Sequence, residues 1–238
     1  MSMLTTLRHL LRPLFLAGAG GMILTACAGG NTIAPTEVQI FEAGRANIAR
    51  RTAPKQERPA LTRAALNTVE VPAIEVVIEH TDLLAYVFLD KTLRDDSPGE
   101  VQVWRSEDAA QLAFRNGVLI NTRGLGGDVM SAQVPVSGTS AGPSRSGAHV
   151  LQVRAGANTV WPADMTCDLV DLGPVTIEIV ERRHATRHLR QNCEASAGQT
   201  TGVVVNDYWV DPGRNIIWQS RQWAGPQLGY MRLRRLVE

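Results

Sequence analysis

The sequence has a formal net charge of only +1, almost no lysine and no hydrophobic run long enough to span a membrane. Its 238 residues include 24 basic and 23 acidic ones, and Lys55 and Lys91 are the only lysines. A near-neutral chain has no overall electrostatic attraction for nucleic acid or for an anionic lipid surface. The main apolar run, within residues 14–24, is interrupted by glycines and is shorter than the roughly 20 residues of a transmembrane helix. These absences argue against a nucleic-acid-binding protein and against a permanent helical anchor.

Residues 1–26 instead have the features of a cleaved secretion signal. Arg8 and Arg12 precede the short apolar region, and small residues lead into Cys27. The stretch LTAC, which ends at Cys27, resembles the bacterial lipoprotein box. That resemblance implies that Cys27 becomes the lipid-modified N-terminus, with palmitate among its acyl chains, and Ala28 in place of aspartate implies the outer membrane. The alternative is a chance cysteine behind an ordinary signal peptide.

The mature chain is expected to be one domain held close to the membrane. Removal of residues 1–26 takes two arginines from the 24 basic residues and leaves 22 against 23 acidic ones, a charge of about −1. Residues 27–36 are small and polar, which suits a short tether. Residues 37–238 are predicted to form a single mainly β periplasmic domain, with a helical N-terminal part at about 37–70.

Three cysteines are an odd number until Cys27 is assigned to lipid. That assignment leaves Cys167 and Cys193 as the single possible pair, in a compartment where disulfides persist. A bridge that closes about 26 residues would stabilise the fold by roughly 3 to 4 kcal/mol on the chain-entropy estimate. Sequence alone does not show that the two β-carbons meet, so unpaired thiols remain open.

Strand and turn patterns dominate the chain after Pro72, without the alternation of strands and helices that predicts a parallel sheet. Residues 174–195 alternate well enough to predict one long strand. The predicted class is mainly β, with antiparallel curved sheets that form a barrel or a sandwich and with one or two short N-terminal helices.

Two hairpins have turn residues that predict a register. Asn116–Gly117 between two apolar runs is typical of a two-residue turn, which would pair Phe114 with Leu119 and Ala113 with Ile120.

The second turn is Pro212–Gly213. It would pair Trp209 with Ile216 and place Trp218 on the same face as Trp209.

The chain contains one hydrolase-like motif, which we interpret as a loop. Residues 138–142 match the pattern G-x-S-x-G around Ser140, and His149, Asp168 or His184 could complete a triad on paper. That motif requires a strand, a sharp turn and a helix. Here it lies among Gly, Ser and Pro, with no helix after it.

Other motifs are equally incomplete. Residues 124–128 are glycine-rich but lack the lysine and helix of a phosphate-binding loop. His184 and His188 are spaced as a helical zinc pair would be, without the glutamate of that motif. Acidic residues stand mainly at turns, where they bond local backbone. We therefore predict no catalytic residue, no metal, no cofactor and no enzymatic activity.

Two stretches carry a family resemblance. Residues 103–129 and 206–226 are similar to the signature regions of the YjbF/GfcB family of exopolysaccharide and group 4 capsule lipoproteins. The resemblance implies a mostly β, periplasm-facing, outer-membrane-anchored protein that is encoded with polysaccharide export components. Only Cys27 carries over from the family as a functional position.

Three functions follow as hypotheses. The leading one is a lipoprotein that assists exopolysaccharide or capsule assembly or export by binding envelope partners, such as a co-encoded outer-membrane barrel. The second is a glycan-binding module that uses exposed Trp209, Trp218 or Trp223, although these residues fit core or interface better. The third, a polysaccharide-modifying enzyme, would depend on Ser140.

A faint internal echo is also present. Residues 103–106 read VWRS and residues 217–220 read IWQS, each beside a hairpin. Either a duplication or chance explains four residues.

Overall fold

The computed structural model describes residues 61–154, 159–197 and 200–238. The predicted signal peptide, Cys27, the tether and the first predicted helix lie outside these residues. Within them the helical prediction reduces to α1 (Arg63–Leu66), a single turn capped by the hydroxyl of Thr62. No helix in the described ranges is long and apolar enough to cross a membrane.

Twelve strands make up nearly all of the described chain. They are β1 (Ala73–Ile78), β2 (Leu83–Leu93), β3 (Val101–Arg105), β4 (Gln111–Arg115), β5 (Val118–Arg123), β6 (Val129–Gln133), β7 (Ser146–Arg154), β8 (Val160–Ile179), β9 (Arg182–Ala197), β10 (Thr200–Asp211), β11 (Ile216–Trp223) and β12 (Tyr230–Val237).

All twelve strands belong to one antiparallel sheet that curls back on itself. The order is β5-β4-β3-β2-β1-β12-β11-β10-β9-β8-β7-β6. Its two ends meet, because the side-chain amide of Asn121 donates to the carbonyl of Met130 (2.7 Å) and the Val129 amide donates to the Thr122 hydroxyl (2.8 Å). The predicted antiparallel β class is confirmed, and the sheet is a nearly closed, barrel-shaped one.

Period-two alternation places the core inside this sheet. Ile74, Val76 and Ile78 of β1 face inward and meet side chains from most other strands. The largest fully buried side chains include Trp104, Trp218, Tyr208, Leu151 and Met231. Alternation alone therefore determines which side chains line the interior.

Of the two residue pairs predicted for the hairpin at Asn116–Gly117, one is confirmed and one is wrong. Phe114 pairs with Leu119 as predicted, and Asn116 and its glycine neighbour both have positive φ, at 47° and 81°. A register shift then places Ala113 opposite Asn121 rather than Ile120. The added residue turns the strand locally, as a β-bulge does.

The prediction of one long strand over 174–195 is wrong. The chain reverses at Val180 and Glu181, whose φ values of 43° and 63° are unusual for residues with a side chain. The Arg63 guanidinium donates to the carbonyl oxygens of Ile179 (2.8 Å) and Val180 (3.0 Å). Contacts from a distant segment thus hold a turn that has no turn-forming residue of its own.

The terminal hairpin also differs from its predicted register. Trp209 lies opposite Gln219, not Ile216, because the loop has four residues, which places Asp211 opposite Ile216, and because a register shift separates Trp209 from Val210. Adjacent residues of a strand point to opposite faces, so Trp218 and Trp209 lie on opposite faces of the sheet. The prediction that they share a face is wrong.

Candidate functional site

The interior of the sheet contains a cavity of about 360 Å³. Two β3 side chains, Gln102 and Trp104, form part of its wall, and Phe114 of β4 and Arg235 of β12 extend it. Trp218 of β11 and three residues of the loop before β7, Gly138, Thr139 and Ala141, also line it. We call this space the arginine cavity.

Arg235 is the least exposed charged group of this cavity, whose rim also contains Arg94 and Glu100, and it is poorly satisfied. Its guanidinium lies 5.2 Å from the Trp104 ring centroid, and one Nη donates to Gln102 Oε1 at 3.3 Å. Its Nε has no hydrogen-bond partner, and no carboxylate among the described residues forms an ion pair with it. Burial lowers the pKa of Arg235, and the charge of Glu238 partly offsets that effect.

Trp104 adds a second unsatisfied donor. It is fully buried, and its indole Nε1 has no acceptor. A buried N–H group without a partner loses the hydrogen bond it had with water. Two N–H groups of residues that line this cavity, Arg235 Nε and Trp104 Nε1, therefore have no acceptor among the described residues.

Two asparagine side chains hold the loop that borders the cavity. Asn116 Nδ2 donates to the carbonyl oxygens of Ser137 (2.7 Å) and Ser140 (3.0 Å). Asn215 Oδ1 accepts from the amide of Ala141 (2.6 Å). The G-x-S-x-G segment is a loop in the described structure, as its flanking residues indicated, and no described histidine is hydrogen-bonded to Ser140.

The three tryptophans of the predicted ligand face do not act together. Trp218 is 2% exposed, borders the arginine cavity and contacts His184 with tilted rings, 3.6 Å between ring centroids. Trp209 lies on the other face and stacks on His188 at 4.5 Å. Trp223 packs against the core. Trp218 is therefore not the exposed residue that the glycan-binding hypothesis requires, whereas a ligand or partner contact through half-buried Trp209 or Trp223 stays a prediction.

The two histidines spaced four apart have separate structural partners. His188 Nε2 is 2.7 Å from Asp207 Oδ1, which also accepts from Arg190 Nε at 2.8 Å. His184 contacts Trp218, and its burial, followed by the charges of Arg182 and Arg63, lowers its pKa. Neither arrangement resembles a pair of metal ligands.

Cys167 and Cys193 are joined by a disulfide. They pair directly across β8 and β9, both are buried, and His149 lies beside them. We call these three residues the disulfide site. Among the described residues, these three form a group whose side-chain atoms lie close enough together to bind a metal ion. The two sulfurs, however, are bonded to each other. Both ring nitrogens of His149 lack partners, and burial lowers its pKa to about 4.

The sequence interpretation missed Arg235, Gln102 and the two asparagines. A usable signal for Arg235 was present, because Met231 and Leu233 begin an alternation that Arg235 continues on the inner face. The echo between VWRS and IWQS also gains meaning, since Trp104 and Trp218 both border the arginine cavity.

Comparisons with known proteins agree with this architecture. The crystal structure of the hypothetical lipoprotein YmcC from Escherichia coli (K12) superposes with a TM-score of 0.62 at 16% identity, covering 84% of this chain and 95% of that one. At that identity the likeness shows the fold alone. No curated protein matches the sequence. The family model for the group 4 capsule polysaccharide lipoprotein GfcB, YjbF, matches residues 36–236. The chain therefore belongs to the YjbF family of group 4 capsule polysaccharide lipoproteins.

Proposed function

We propose that the chain is a lipoprotein anchored in the outer membrane through Cys27, facing the periplasm, that assists capsule or exopolysaccharide assembly or export by binding an envelope protein. Its membership of a capsule lipoprotein family supports the envelope setting and the link to polysaccharide. The proposed role needs no catalytic step, and we propose that the chain is not an enzyme.

One surface of the described structure supports partner binding. Over its second half β8 pairs only with β9, since β7 pairs with residues 160–168. This stretch presents three exposed apolar side chains, which we call the β8 surface: Val170, Leu172 and Val175. A strand edge with apolar side chains can accept a strand or an apolar face from a partner. The irregular pairing beside Pro174 limits indiscriminate pairing with other copies.

The β8 surface can be tested by substitution in producing cells. Leu172 is 51% exposed, so Leu172→Asp should leave the fold intact while it disrupts an apolar contact. We expect lower surface polysaccharide and loss of a photo-crosslink to an envelope protein from a photoreactive residue placed at position 175, which is also exposed on the β8 surface. Thr166→Asp, at an exposed position of the same strand, is the matched control. Unchanged polysaccharide and crosslinks in Leu172→Asp would refute partner binding through this surface.

The anchor is tested independently at Cys27. Replacing Cys27 with Ala removes the thiol that would be acylated, and several acyl chains are what makes such an anchor effectively permanent. The variant should leave the outer-membrane fraction and reduce polysaccharide output. Unaltered fractionation of Cys27→Ala would contradict the anchor.

A further inference from the structure

The arginine cavity has the properties of a ligand site rather than of a packing defect. A defect in a core is apolar, and it stays empty. This cavity instead borders the Arg235 guanidinium and the amide side chains of Gln102 and Asn116. Its volume of about 360 Å³ lies near the lower end of the range for small-molecule sites. It can hold a small molecule or one terminal unit of a longer chain.

The charge of the cavity selects an anion. Arg235 cannot lose its proton under ordinary conditions, so its charge remains while burial removes water from it. Arg94, at the exposed rim, lies 3.5 Å from Glu100 and is thereby partly neutralised. Glu238, the acid whose charge acts on Arg235, is itself paired with Arg214. A carboxylate that entered the cavity would supply the missing partner of the guanidinium in a two-pronged hydrogen bond.

The aromatic residues of the wall select more than a bare ion. Trp104, Phe114 and Trp218 contribute rings to the same cavity as Arg235. The rings are 0%, 4% and 2% exposed, so a sugar ring would meet the edges of this aromatic wall and not a broad aromatic face. The amides of Gln102 and Asn116 offer polar atoms for hydroxyl groups. An inorganic anion would contact the arginine and leave the rest of the cavity wall without a ligand contact.

We propose that the arginine cavity binds an acidic saccharide unit, with its carboxylate on Arg235 and its ring against the aromatic wall. The choice of a saccharide rests on the proposed function, whereas the carboxylate preference rests on the cavity alone. The loop at 138–141 borders the site through backbone and small side chains. This site is separate from the β8 surface, so the protein has one surface for a partner and one cavity for a sugar.

The proposal is tested by ligand-observed NMR with the full chain in detergent micelles. The probes are D-glucuronate, its neutral methyl ester and acetate. We expect saturable binding of glucuronate, with the ester and acetate each bound at least tenfold more weakly. Equal binding of the ester would overturn the carboxylate contact, and equal binding of acetate would overturn the saccharide assignment. Absence of glucuronate binding to the folded protein would overturn both.

Variants locate the binding. Arg235→Met should weaken glucuronate binding at least tenfold and abolish the preference over the ester. Arg235→Lys, which keeps the charge but loses the planar fork, should give an intermediate loss and serves if the Met variant does not fold. Arg232→Met, at an exposed position of β12, is the matched control and should bind normally. Unchanged glucuronate affinity in folded Arg235 variants would overturn the site.

The outcome separates from that of the proposed function. Glucuronate binding that depends on Arg235, in a protein whose deletion leaves the polysaccharide unaltered, would refute the export role and keep the carboxylate site. Loss of polysaccharide on deletion, together with no glucuronate binding, would refute the cavity proposal and keep the export role.

Discussion

The disulfide site and the arginine cavity both contain buried polar atoms without a hydrogen-bond partner, and the two differ in their surroundings. At the disulfide site, His149 is 4% exposed between strands and does not line the arginine cavity. In the arginine cavity, Arg235 borders open space, and the Trp104 indole is enclosed in the wall beside it. The disulfide site is filled by protein side chains, whereas the arginine cavity has room for a ligand.

The two sites also differ in how they can relieve the cost of burial. A buried histidine gives up its proton and stays neutral, which the lowered pKa of His149 reflects. Arginine cannot lose its proton in this way, so the desolvation cost of the Arg235 guanidinium persists until an anion pairs with it. The difference indicates that the disulfide site contributes to stability and that the arginine cavity contributes to binding.

The largest expected effect sharpens this division at the disulfide. Replacing Cys167 and Cys193 together with Ser should lower the free energy of unfolding by roughly 3 to 4 kcal/mol, because the unfolded chain loses a constraint over about 26 residues. Urea denaturation with and without reductant measures the loss. Glucuronate binding to the folded variant should not change. A stability loss below 1 kcal/mol would assign the bridge a different role.

The second effect concerns acid stability. The pKa of His149 is lowered from 6.5 to about 4 in the folded protein, so the unfolded chain binds the extra proton first. The contribution of neutral His149 to stability is therefore fully present above about pH 6.5. The free energy of unfolding falls by roughly 3 kcal/mol as the pH decreases to 4. The neighbouring cysteines are bonded and do not titrate.

His149→Leu should flatten the pH dependence between 6.5 and 4 in denaturation curves measured at several pH values. The same substitution at exposed His80 should preserve it, apart from a small uniform change. A slope that survives in His149→Leu would show that other groups cause the acid sensitivity.

The third effect has the opposite sign. Arg235→Met replaces a poorly paired buried charge with an apolar side chain of similar length, so it should raise the free energy of unfolding by about 1 kcal/mol. Thermal unfolding without ligand measures the change. A stabilised variant with weakened glucuronate binding would show that the arginine is retained for binding. A clear loss of stability would instead make Arg235 a structural residue and weaken the comparison.

Much of the fold could be predicted from local patterns. Alternation after Pro72 and the Asn116–Gly117 turn indicated an antiparallel β structure, because both signals depend only on neighbouring residues. The reversal at Val180 could not be predicted, since its unusual backbone is held by Arg63, more than a hundred positions away. The shift beside Trp209 was hidden for a similar reason, as turn residues indicate a reversal but not a bulge.

The site was less accessible to sequence reasoning than the fold. The terminal run MRLRR contains three arginines that look equivalent, yet the pairing of Arg235 with Ile74 places it inside. The tryptophans attracted attention because they are rare, but Trp104, outside the terminal cluster, proved more relevant than Trp209. Cavities arise where strands distant in sequence face one another, and spacing along the chain carries little information about that.

The smallest effect tests the edge of the arginine cavity. Asn215 holds the loop through two hydrogen bonds. Its Oδ1 accepts from the amide of Ala141 (2.6 Å), and its Nδ2 donates to the carbonyl of Thr139 (2.7 Å). Its φ is 57°, so Asn215→Gly removes the side chain without introducing backbone strain. We expect a loss of about 1 kcal/mol or less, faster amide exchange over residues 137–142 and several-fold weaker glucuronate binding.

Asn215→Asp separates the two bonds, because it keeps the acceptor for Ala141 and loses the donor to Thr139. It should give an intermediate exchange rate. If exchange accelerates in Asn215→Gly while glucuronate affinity stays at the wild-type value, the loop is only a cover, and recognition belongs to Arg235 and the aromatic wall. A parallel loss of both would make the ordered loop part of the binding site, a property that the closely packed disulfide site cannot share.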